Sequence, residues 1–472
     1  MLFYFFIAAF ALALISAFSI HRLQAIIATG VYAAMLPLLL VHVVQHSGQT
    51  ELLFFTYDSM GLLFFGLLCV TAIASYLHSI TYLRSETPKQ LGLYHAGFVL
   101  LSASITGAYF SNNAMVSWIF LEATTLAAAI LVYHRRSRKA LEATWKYVFV
   151  CSTGVAVAYF GILFLSIMLR GEHADMSYTS LAAAVAHANP TYLKLAFLFM
   201  LIGYSCKMEV FPLYTVGIDA NHAAPTPMSA LLSSASVNLG FVSIFRVYAA
   251  LSASAIFAWM QGVMLVAGLL SVIIAISYLQ RVKNLKRLLA YSTVENMGIV
   301  LIALGLGGAG FYVAVLHIAV HTLIKSAAFL QLGQVGKIYG TYNLFKTGSY
   351  LRVNPTGAVA LIAVMVGLTA MPPSGTFLSE LLLFRELACT GRWLIFALLA
   401  AALCFAINAL CRRLLYVCCN APYPNCQPHL NERRTWLTII QLLMLLAAFA
   451  VCFYQPSWLK MLINEVVNMI AK

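Results

Sequence analysis

The chain has 472 residues and a formal net charge of +14, yet only 9% of its residues are charged and 62% are hydrophobic. A soluble globular protein is about 25% charged, so this composition cannot cover a water-facing surface. Disordered chains are poor in apolar residues, which excludes that class too. The basic residues are spread over short loops without an RNA-binding signature, so they do not indicate nucleic acid. A polytopic helical membrane protein remains.

Apolar runs long enough to span a bilayer recur along the whole chain, since each spanning helix needs about 20 apolar residues. The runs cover residues 2–19, 25–44, 60–82, 91–110, 114–133, 141–169, 191–214, 226–250, 254–279, 287–306, 311–335, 356–384, 393–417 and 435–455. The first run has no basic segment before it, which favours a retained helix over a cleaved signal peptide. The predicted fold class is an all-α polytopic membrane protein with about fourteen transmembrane helices.

The distribution of Lys and Arg predicts the orientation. One set of alternate loops holds most of them: Arg22, Arg84, Lys89, Arg135, Arg136, Arg138, Lys139, Arg281, Lys283, Lys286, Arg287, Lys337, Lys346, Arg352, Arg412, Arg413, Arg433 and Arg434. The opposite loops and the tail hold Arg170, Lys194, Arg385, Arg392, Lys460 and Lys472. By the positive-inside rule the first set is cytoplasmic, and an even number of helices places both termini outside. The default location is a bacterial inner (plasma) membrane.

Several charged residues interrupt the apolar runs, where a charge at the bilayer centre costs about 2.5–3.5 kcal/mol. They are Glu122, Lys207 with Glu209 close behind it, Glu295, Lys325 and Glu380. A structural ion pair would explain any one of them. Acids and bases on successive helices together favour a relay for protons or ions. Arg246, Lys146 and Glu142 lie nearer the helix ends, where snorkelling is a sufficient explanation.

His317, His321 and Lys325 repeat every four residues, so on a helix they form one slowly drifting stripe. Histidine titrates near neutral pH, and steps of about 6 Å suit proton hopping through water. Metal binding by the two histidines is disfavoured, because the Glu and the third ligand of a zinc protease are missing. A pair of hydrogen-bonded core histidines remains the other interpretation.

Two of the runs contain helix breakers. Pro212 follows Lys207 by five residues, and Pro372 and Pro373 precede Glu380 in the twelfth run. Proline removes a backbone hydrogen bond and clashes with the preceding turn. An ordinary proline kink would explain either break alone. Broken helices at corresponding places, each with a buried titratable group, are typical of inverted-repeat transporters with internal water.

Three segments carry a family resemblance: KMEVFPLYTVGIDANHAAPTPMSALL, NLKRLLAYST and HIAVHTLIKSAAFLQLG. Over about residues 90–440 the chain resembles the antiporter-like subunits of respiratory complex I and of Mrp-type cation/proton antiporters. The segments ALEATWKYVFVCSTG, LLSSASVNLGF, STVENMGI and PPSGTFLSE are most similar to the hydrogenase-4 and formate-hydrogenlyase branch, of component F type.

This resemblance implies a fold of fourteen helices with two inverted five-helix repeats, each a half-channel, in which helices 7 and 12 are broken. The implied regions are helices 1–3 (residues 1–90), the first repeat of helices 4–8 (91–250), the second repeat of helices 9–13 (251–417), and a cytoplasmic loop, helix 14 and tail (418–472). The resemblance also assigns the proton or ion pathway to Glu122, Lys207, Lys325, Glu380, His317 and His321. Glu295 is added from its burial alone.

The chain departs from the family pattern near the first break. The helix-8 position that carries His or Lys in complex I members reads Ser233 and Asn238 here. Tyr214 replaces a common His, and residues 216–219 replace Trp-Leu-Pro-Asp. We therefore expect the link between the half-channels to depend more on water and hydroxyl groups.

The functional hypothesis is a proton-translocating membrane subunit of a respiratory redox complex. Glu122 and Lys207 would form the first switchable pair, Lys325 with His321 and His317 the relay, and Glu380 the exit. The expected partners are other membrane subunits and a soluble hydrogenase or dehydrogenase arm, with protons or Na⁺ as the transported ion. Flavin, haem and iron–sulfur motifs are missing, so we expect no cofactor, no metal and no catalytic redox site. The alternatives are an Mrp-like Na⁺/H⁺ antiporter subunit and a non-transporting scaffold for a hydrogenase or carbon-uptake partner.

Overall fold

A computed structural model of the chain, which describes residues 1–169, 175–421, 428–432 and 434–470, is predominantly helical. In this part of the chain eleven helices are long and apolar enough to cross a membrane. Two further apolar helices are shorter, Leu2–Ala17 and Pro355–Leu368. The predicted helical polytopic membrane protein is therefore confirmed. Arg170, Arg433 and Lys472, and part of the loop at 418–434, lie outside the described residues.

Residues 1–169 and 175–208, the described part of the first half, contain eight α-helices and one small hairpin. Their bounds are α1 Leu2–Ala17, α2 Arg22–Gln45, β1 Thr50–Glu51, β2 Phe55–Thr56, α3 Ser59–Tyr82, α4 Pro88–Phe110, α5 Ala114–Val132, α6 Arg138–Met168, α7 Tyr178–Ala184 and α8 Pro190–Met208. The two strands pair antiparallel, with Glu51 opposite Phe55. They form the short connection between α2 and α3.

The second half continues from the point where α8 is interrupted. Its helices are α9 Thr215–Ala223, α10 Thr226–Leu231, α11 Val237–Ala250, α12 Phe257–Leu279, α13 Leu285–Leu306, α14 Ala309–Tyr339, α15 Tyr350–Val353, α16 Pro355–Leu368, α17 Gly375–Cys389, α18 Trp393–Cys419, α19 Thr435–Phe453 and α20 Ser457–Val467. A π-helical segment, Leu232–Ser236, joins α10 to α11 into one continuous helix, Thr226–Ala250.

Both predicted helix breaks are present. α8 ends at Met208, and the backbone passes through Pro212 before α9 begins. Likewise α16 ends at Leu368, and α17 begins after Pro372 and Pro373. Each of the other apolar runs coincides with a helix to within a few residues, because apolar length alone decides these elements.

Polar side chains at the helix starts determine where several of these helices begin. Asp58 accepts a hydrogen bond from the Gly61 amide at the start of α3, at 2.7 Å. Asn113 accepts from the amides of α5, and Ser137 from the first turn of α6. Ser374 caps α17 by accepting from the amide of Phe377 at 3.2 Å. These contacts satisfy backbone donors that a helix start leaves unpaired.

The helices differ strongly in how far they are buried within the protein. In the continuous helix Thr226–Ala250 every residue of the apolar 18-residue stretch is buried, and the matching stretches of α13 and α14 are nearly as enclosed. In α18 and α19, by contrast, only 28% and 33% of the residues in that stretch are buried. α18 and α19 are therefore peripheral, whereas α10, α11, α13 and α14 form the centre. A polar side chain on a central helix must find its partner inside the protein.

Arg246 on α11 contradicts the snorkelling expectation. Its side chain is 2% exposed and forms a salt bridge with Asp58, at 2.8 Å from Oδ2. It also donates to the backbone carbonyl of Tyr109 at 2.6 Å. Snorkelling fails here because α11 is enclosed on all sides, and its guanidinium cannot reach water. By contrast, Lys146 and Glu142 form an exposed pair at 2.6 Å on the surface of α6.

Lys286, which the sequence groups with the cytoplasmic loops, is fully buried. Its ammonium group donates to the carbonyl oxygens of His222, at 3.3 Å, and of Ala224. These carbonyls lie at the C-terminal end of α9, where a helix has unpaired acceptors and partial negative charge. Lys286 therefore holds α9 against the first turn of α13.

Candidate functional site

Lys207 lies in the last turn of α8, where the side chain is 3% exposed. Its ammonium donates to Thr125 Oγ1 on α5 at 2.8 Å and to the Tyr147 hydroxyl on α6 at 3.4 Å. α11 packs directly on this turn at Gly240, where a Cβ would lie 2.6 Å from the Lys207 carbonyl carbon. The break in α8 therefore leaves a buried lysine held between three other helices by uncharged groups.

Glu122 lies one turn before Thr125 on α5. Its Oε1 accepts a hydrogen bond from Ser152 Oγ on α6 at 2.6 Å, while Oε2 is buried without a partner among the described residues. Glu122 and Lys207 do not form a salt bridge; each is bound to its own hydroxyl groups. The two side chains predicted as a pair thus share the α5–α6 interface without direct contact.

Glu209 follows where α8 ends and is 4% exposed. Oε1 accepts a hydrogen bond from Asn221 Nδ2 at 3.2 Å, and Oε2 is buried without a described partner. Lys207, Tyr147 and Glu209 line one small cavity of about 10 Å³. This is close to the smallest volume that holds a single water molecule.

Lys325 is completely buried near the middle of α14. Its ammonium donates to the Leu289 carbonyl oxygen at 2.6 Å and to Ser292 Oγ, both on α13. Glu295, one turn beyond Ser292, is 2% exposed and has a buried Oε2 without a described partner. Lys325 interacts electrostatically with Glu295 and with Glu209 but forms a salt bridge with neither. The central lysine is thus within electrostatic reach of two carboxyl groups.

His317 connects α14 to both neighbouring helices. Its Nε2 is 3.1 Å from Asn296 Oδ1 on α13, and its Nδ1 is 2.9 Å from Ser379 Oγ on α17. The Asn296 amide nitrogen donates to the Ser292 carbonyl, which orients its oxygen toward His317 and requires a proton on Nε2. When the ring is charged, Nδ1 donates to the Ser379 hydroxyl, which itself donates to the Thr376 carbonyl; when the ring is neutral, Nδ1 can accept from that hydroxyl once it turns away from Thr376. This arrangement serves both protonation states.

His321 and Glu380 complete the predicted set. Both ring nitrogens of His321 are buried without a described partner, so a core histidine pair satisfied by the protein is not what the structure contains. Buried polar atoms of this kind commonly bind ordered water. Glu380 follows Ser379 on α17, is partly exposed, and interacts electrostatically with Glu295.

The structure therefore brings six of the seven predicted residues into three groups, and His321 forms no hydrogen bond with them in the part of the chain that the structure describes. Glu122 and Lys207 lie among α5, α6 and α8; Lys325 and Glu295 lie between α13 and α14; His317 and Glu380 lie where α14 meets α17. Within the described ranges, no cluster of three or more His, Cys, Asp or Glu side chains could hold a metal ion.

Sequence reasoning missed the neutral partners of these groups. Ser292 and Asn296 lie close to Glu295 in the chain, and Ser379 directly precedes Glu380. Their closeness to a predicted residue could have identified them. Tyr147 and Asn221 offered no comparable signal, because helices distant in sequence bring them to the site.

Comparison with known proteins defines the family. Residues 111–406 match the transmembrane family described as NADH:quinone oxidoreductase/Mrp antiporter. The chain belongs to this family. The chain is also similar to the hydrogenase-4 component F homolog of Methylacidiphilum infernorum, with 33% identity over 387 residues that cover 79% of this chain and 81% of the relative. The resemblance drawn from the sequence motifs is confirmed.

Two solved structures share the fold of this NADH:quinone oxidoreductase/Mrp family member. A chain of the membrane-bound sulfane sulfur reductase, an archaeal respiratory membrane complex, superimposes with a TM-score of 0.85 at 20% identity, covering 99% of this chain and 96% of its own. A chain of the Mrp complex from a Dietzia species gives 0.82 at 16% identity, covering 99% and 95%. At such identities the likeness shows the architecture alone.

Proposed function

We propose that the chain is a proton-translocating membrane subunit of a larger respiratory complex. The observation that carries the proposal is the environment of Lys325, which is fully buried, interacts electrostatically with Glu209 and Glu295, and is in a salt bridge with neither. A structural ion pair would place the ammonium directly against a carboxylate. An ammonium held by a hydroxyl and a carbonyl, with carboxyl groups nearby, is arranged to exchange protons.

The pathway in this proposal begins at Glu122 and Lys207 and ends at Glu380. Lys325, His321 and His317 form the relay, and Glu295 lies beside it. The two hydrogen bonds of His317 support this order, because they connect the helix of Lys325 to the helix of Glu380. The buried, unpartnered nitrogens of His321 support a water-mediated step between Lys325 and His317.

The arrangement of the helices in this proposal has fourteen spans and two inverted five-helix repeats. A helix coincides with each apolar run. The two breaks support the repeats, because each break lies in the fourth apolar run of its own repeat, residues 91–250 for the first and 251–417 for the second. Residues 1–90 would supply three flanking helices, and residues 418–472 a loop, the last span and a tail. In each break a residue with positive φ comes shortly before the proline: Glu209 in the first break and Ala370 in the second.

Location and partners follow from the same proposal. The excess of Lys and Arg in alternate loops supports a bacterial inner membrane with both termini outside. Other membrane subunits and a soluble hydrogenase-type arm would be the partners, as the name of the hydrogenase-4 component F homolog suggests. The arm would supply the energy, and the chain itself would only move protons.

The test uses the complex purified with its native partners and reconstituted into proteoliposomes. Proton uptake per redox turnover is measured with a pH-sensitive dye. Lys207→Ala and Glu380→Gln should abolish the uptake that depends on this chain while the subunits still co-purify. Lys194→Ala, an exposed lysine on the same helix α8, is the matched control and should leave uptake unchanged. Normal uptake in both the Lys207→Ala and the Glu380→Gln variants would refute the proposal.

A second candidate is an Mrp-like Na⁺/H⁺ antiporter subunit, favoured by the match to the NADH:quinone oxidoreductase/Mrp antiporter family. Buried carboxyl groups can bind Na⁺ as well as protons. Radioactive sodium uptake into the same vesicles distinguishes the two: uptake driven by a pH gradient and lost in Glu380→Gln would support the antiporter. Proton movement that is independent of sodium concentration would exclude it.

A further inference from the structure

Glu209 adopts a backbone conformation that glycine would normally provide. It ends α8 with φ = +59°, in the left-handed region, where helices commonly terminate with glycine. The change of backbone direction turns the side chain toward α9. There Gly217 leaves room for it, since a Cβ at that position would lie 2.0 Å from Glu209 Oε1. An acidic residue thus has a backbone conformation that favours glycine, and its side chain fills the space that Gly217 leaves.

The carboxyl group of Glu209 is only half satisfied. Oε1 accepts from Asn221 Nδ2, whereas Oε2 and the Asn221 Oδ1 atom are both buried without a described partner. Asn221 and Glu209 both line the small cavity beside Lys207. Glu209 is therefore a buried carboxyl group with one oxygen ready to accept a proton or a water molecule.

Glu209 has a titratable neighbour on each side. On one side, the Tyr147 hydroxyl accepts a hydrogen bond from Lys207 and lies within the electrostatic reach of Glu209. On the other side, Lys325 interacts electrostatically with Glu209. The carboxyl group thus shares a cavity with the lysine of the first broken helix and is within electrostatic reach of the central lysine of α14.

The polar side chains Ser233 and Asn238 of the Thr226–Ala250 helix cannot hold a proton in place of Glu209. Ser233 Oγ is 2.8 Å from Thr293 Oγ1, and Asn238 Oδ1 accepts a hydrogen bond from Thr322 at 3.0 Å. Hydroxyl and amide groups of this kind do not gain or lose protons near neutral pH. In the described part of the Thr226–Ala250 helix, Arg246 is the one charged side chain, and it is bound to Asp58.

We propose that Glu209 carries the proton between Lys207 and Lys325 and so connects the two halves of the pathway. The inference rests on the proposed function. In the first step the Glu209 carboxylate accepts, through the Tyr147 hydroxyl or one water molecule in the cavity, a proton that Lys207 releases. In the second step the neutral carboxyl group gives this proton to a neutral Lys325. One proton is transferred in each step, and no oxidant or reductant is needed.

The experiment measures proton uptake per redox turnover in the reconstituted complex. The part of this uptake that Lys325→Ala removes is the Lys325-dependent uptake. It should fall at least tenfold in Glu209→Gln, and Glu209→Asp should retain more of it than Glu209→Gln does. Glu209→Gly decides whether the role is structural. Glycine suits the left-handed turn, so this variant should unfold at an equal or higher temperature, yet it should not pump. Glu142→Gln, which changes an exposed carboxyl group on α6, should pump normally.

The outcomes separate this inference from the proposed function. If Lys207→Ala and Lys325→Ala abolish uptake while Glu209→Gln and Glu209→Gly retain it, the bridging role of Glu209 is wrong and the proposed function stands. If Lys207→Ala and Lys325→Ala pump normally, the proposed function itself is wrong. If Glu209→Gly folds poorly and Glu209→Gln pumps normally, Glu209 is a structural residue.

Discussion

Arg246 donates hydrogen bonds to both carboxylate oxygens of Asp58, at 3.0 and 2.8 Å, and thereby joins α11 to the start of α3. Asp58 also caps α3 through the Gly61 amide. Removing one partner of a buried ion pair leaves an unpaired charge and costs about 3–5 kcal/mol. Arg246→Ala should therefore lower the unfolding temperature of the solubilised protein markedly. The exposed Arg281→Ala should not, and equal unfolding temperatures would contradict this account.

Gly240 allows α11 to touch the last turn of α8. A Cβ there would lie 2.3 Å from the Met208 amide nitrogen, a backbone atom that cannot easily move. Gly240→Ala should therefore destabilise the protein and reduce proton uptake by displacing Lys207. Gly262→Ala on α12 is the control, because nothing lies within 4 Å of its Cβ. Alanine there should stabilise the helix by about 0.5–1 kcal/mol. The unfolding temperature should therefore fall in Gly240→Ala and rise in Gly262→Ala. A shift in the same direction in both variants would refute the packing argument.

Gly217 should behave differently from Gly240. The atoms that a Cβ would meet there, from Oε1 at 2.0 Å to Cγ at 2.6 Å, belong to the Glu209 side chain and not to the backbone. Gly217→Ala should therefore have a small effect on the unfolding temperature but displace the carboxyl group from the cavity. Proton uptake should fall several-fold, as measured in proteoliposomes. Uptake that stays normal would mean that the position of Glu209 does not matter for transport.

Ser379 binds the Nδ1 atom of His317 at 2.9 Å. Ser379→Ala leaves that buried nitrogen without its partner, which costs about 1–3 kcal/mol. We expect slower proton uptake together with modest destabilisation. Ser277→Ala is the matched control, since its exposed hydroxyl only binds the Ile273 carbonyl within its own helix. If both variants transport alike, the contact between α14 and α17 plays no part in the pathway.

Lys286 stabilises the end of α9 through the carbonyl oxygens of His222 and Ala224. Hydrogen bonds to a charged group contribute about 1.5–3 kcal/mol each. Lys286→Met keeps the length of the side chain but removes the donors, so it should lower the free energy of unfolding by a few kcal/mol. Lys283→Met changes an exposed lysine three residues earlier and should be nearly neutral. Chemical denaturation of both variants in detergent tests the difference.

Hydropathy was sufficient to predict the membrane helices, because a spanning helix requires little beyond apolar length. Proline likewise indicated both breaks, since its effect on the backbone is local. Arg246 shows where such reasoning stops. Its distance from the helix end suggested contact with water, but its environment depends on Asp58, 188 residues away in the chain.

The candidate site was predictable to a similar extent. Lys207 and Lys325 could be singled out because a charge in an apolar run is costly wherever it lies. Their actual partners, Thr125 and Ser292, could not, because these contacts arise from the packing of separate helices. Glu209 could not be singled out as a bridging candidate, because the direction of its side chain depends on a left-handed turn that sequence patterns do not reveal.

The groups that hold the two buried lysines have a consequence for energy conservation. Thr125, Tyr147, Ser292 and the Leu289 carbonyl oxygen bind the ammonium groups, yet none of them retains an additional proton near neutral pH. In this conformation neither lysine is in a salt bridge with a carboxyl group of the described residues, so a proton leaves a lysine only when a hydroxyl group or a water molecule passes it on. A vesicle containing the resting protein should maintain a pH difference for as long as an empty one. The membrane would then lose no stored energy through this chain between turnovers.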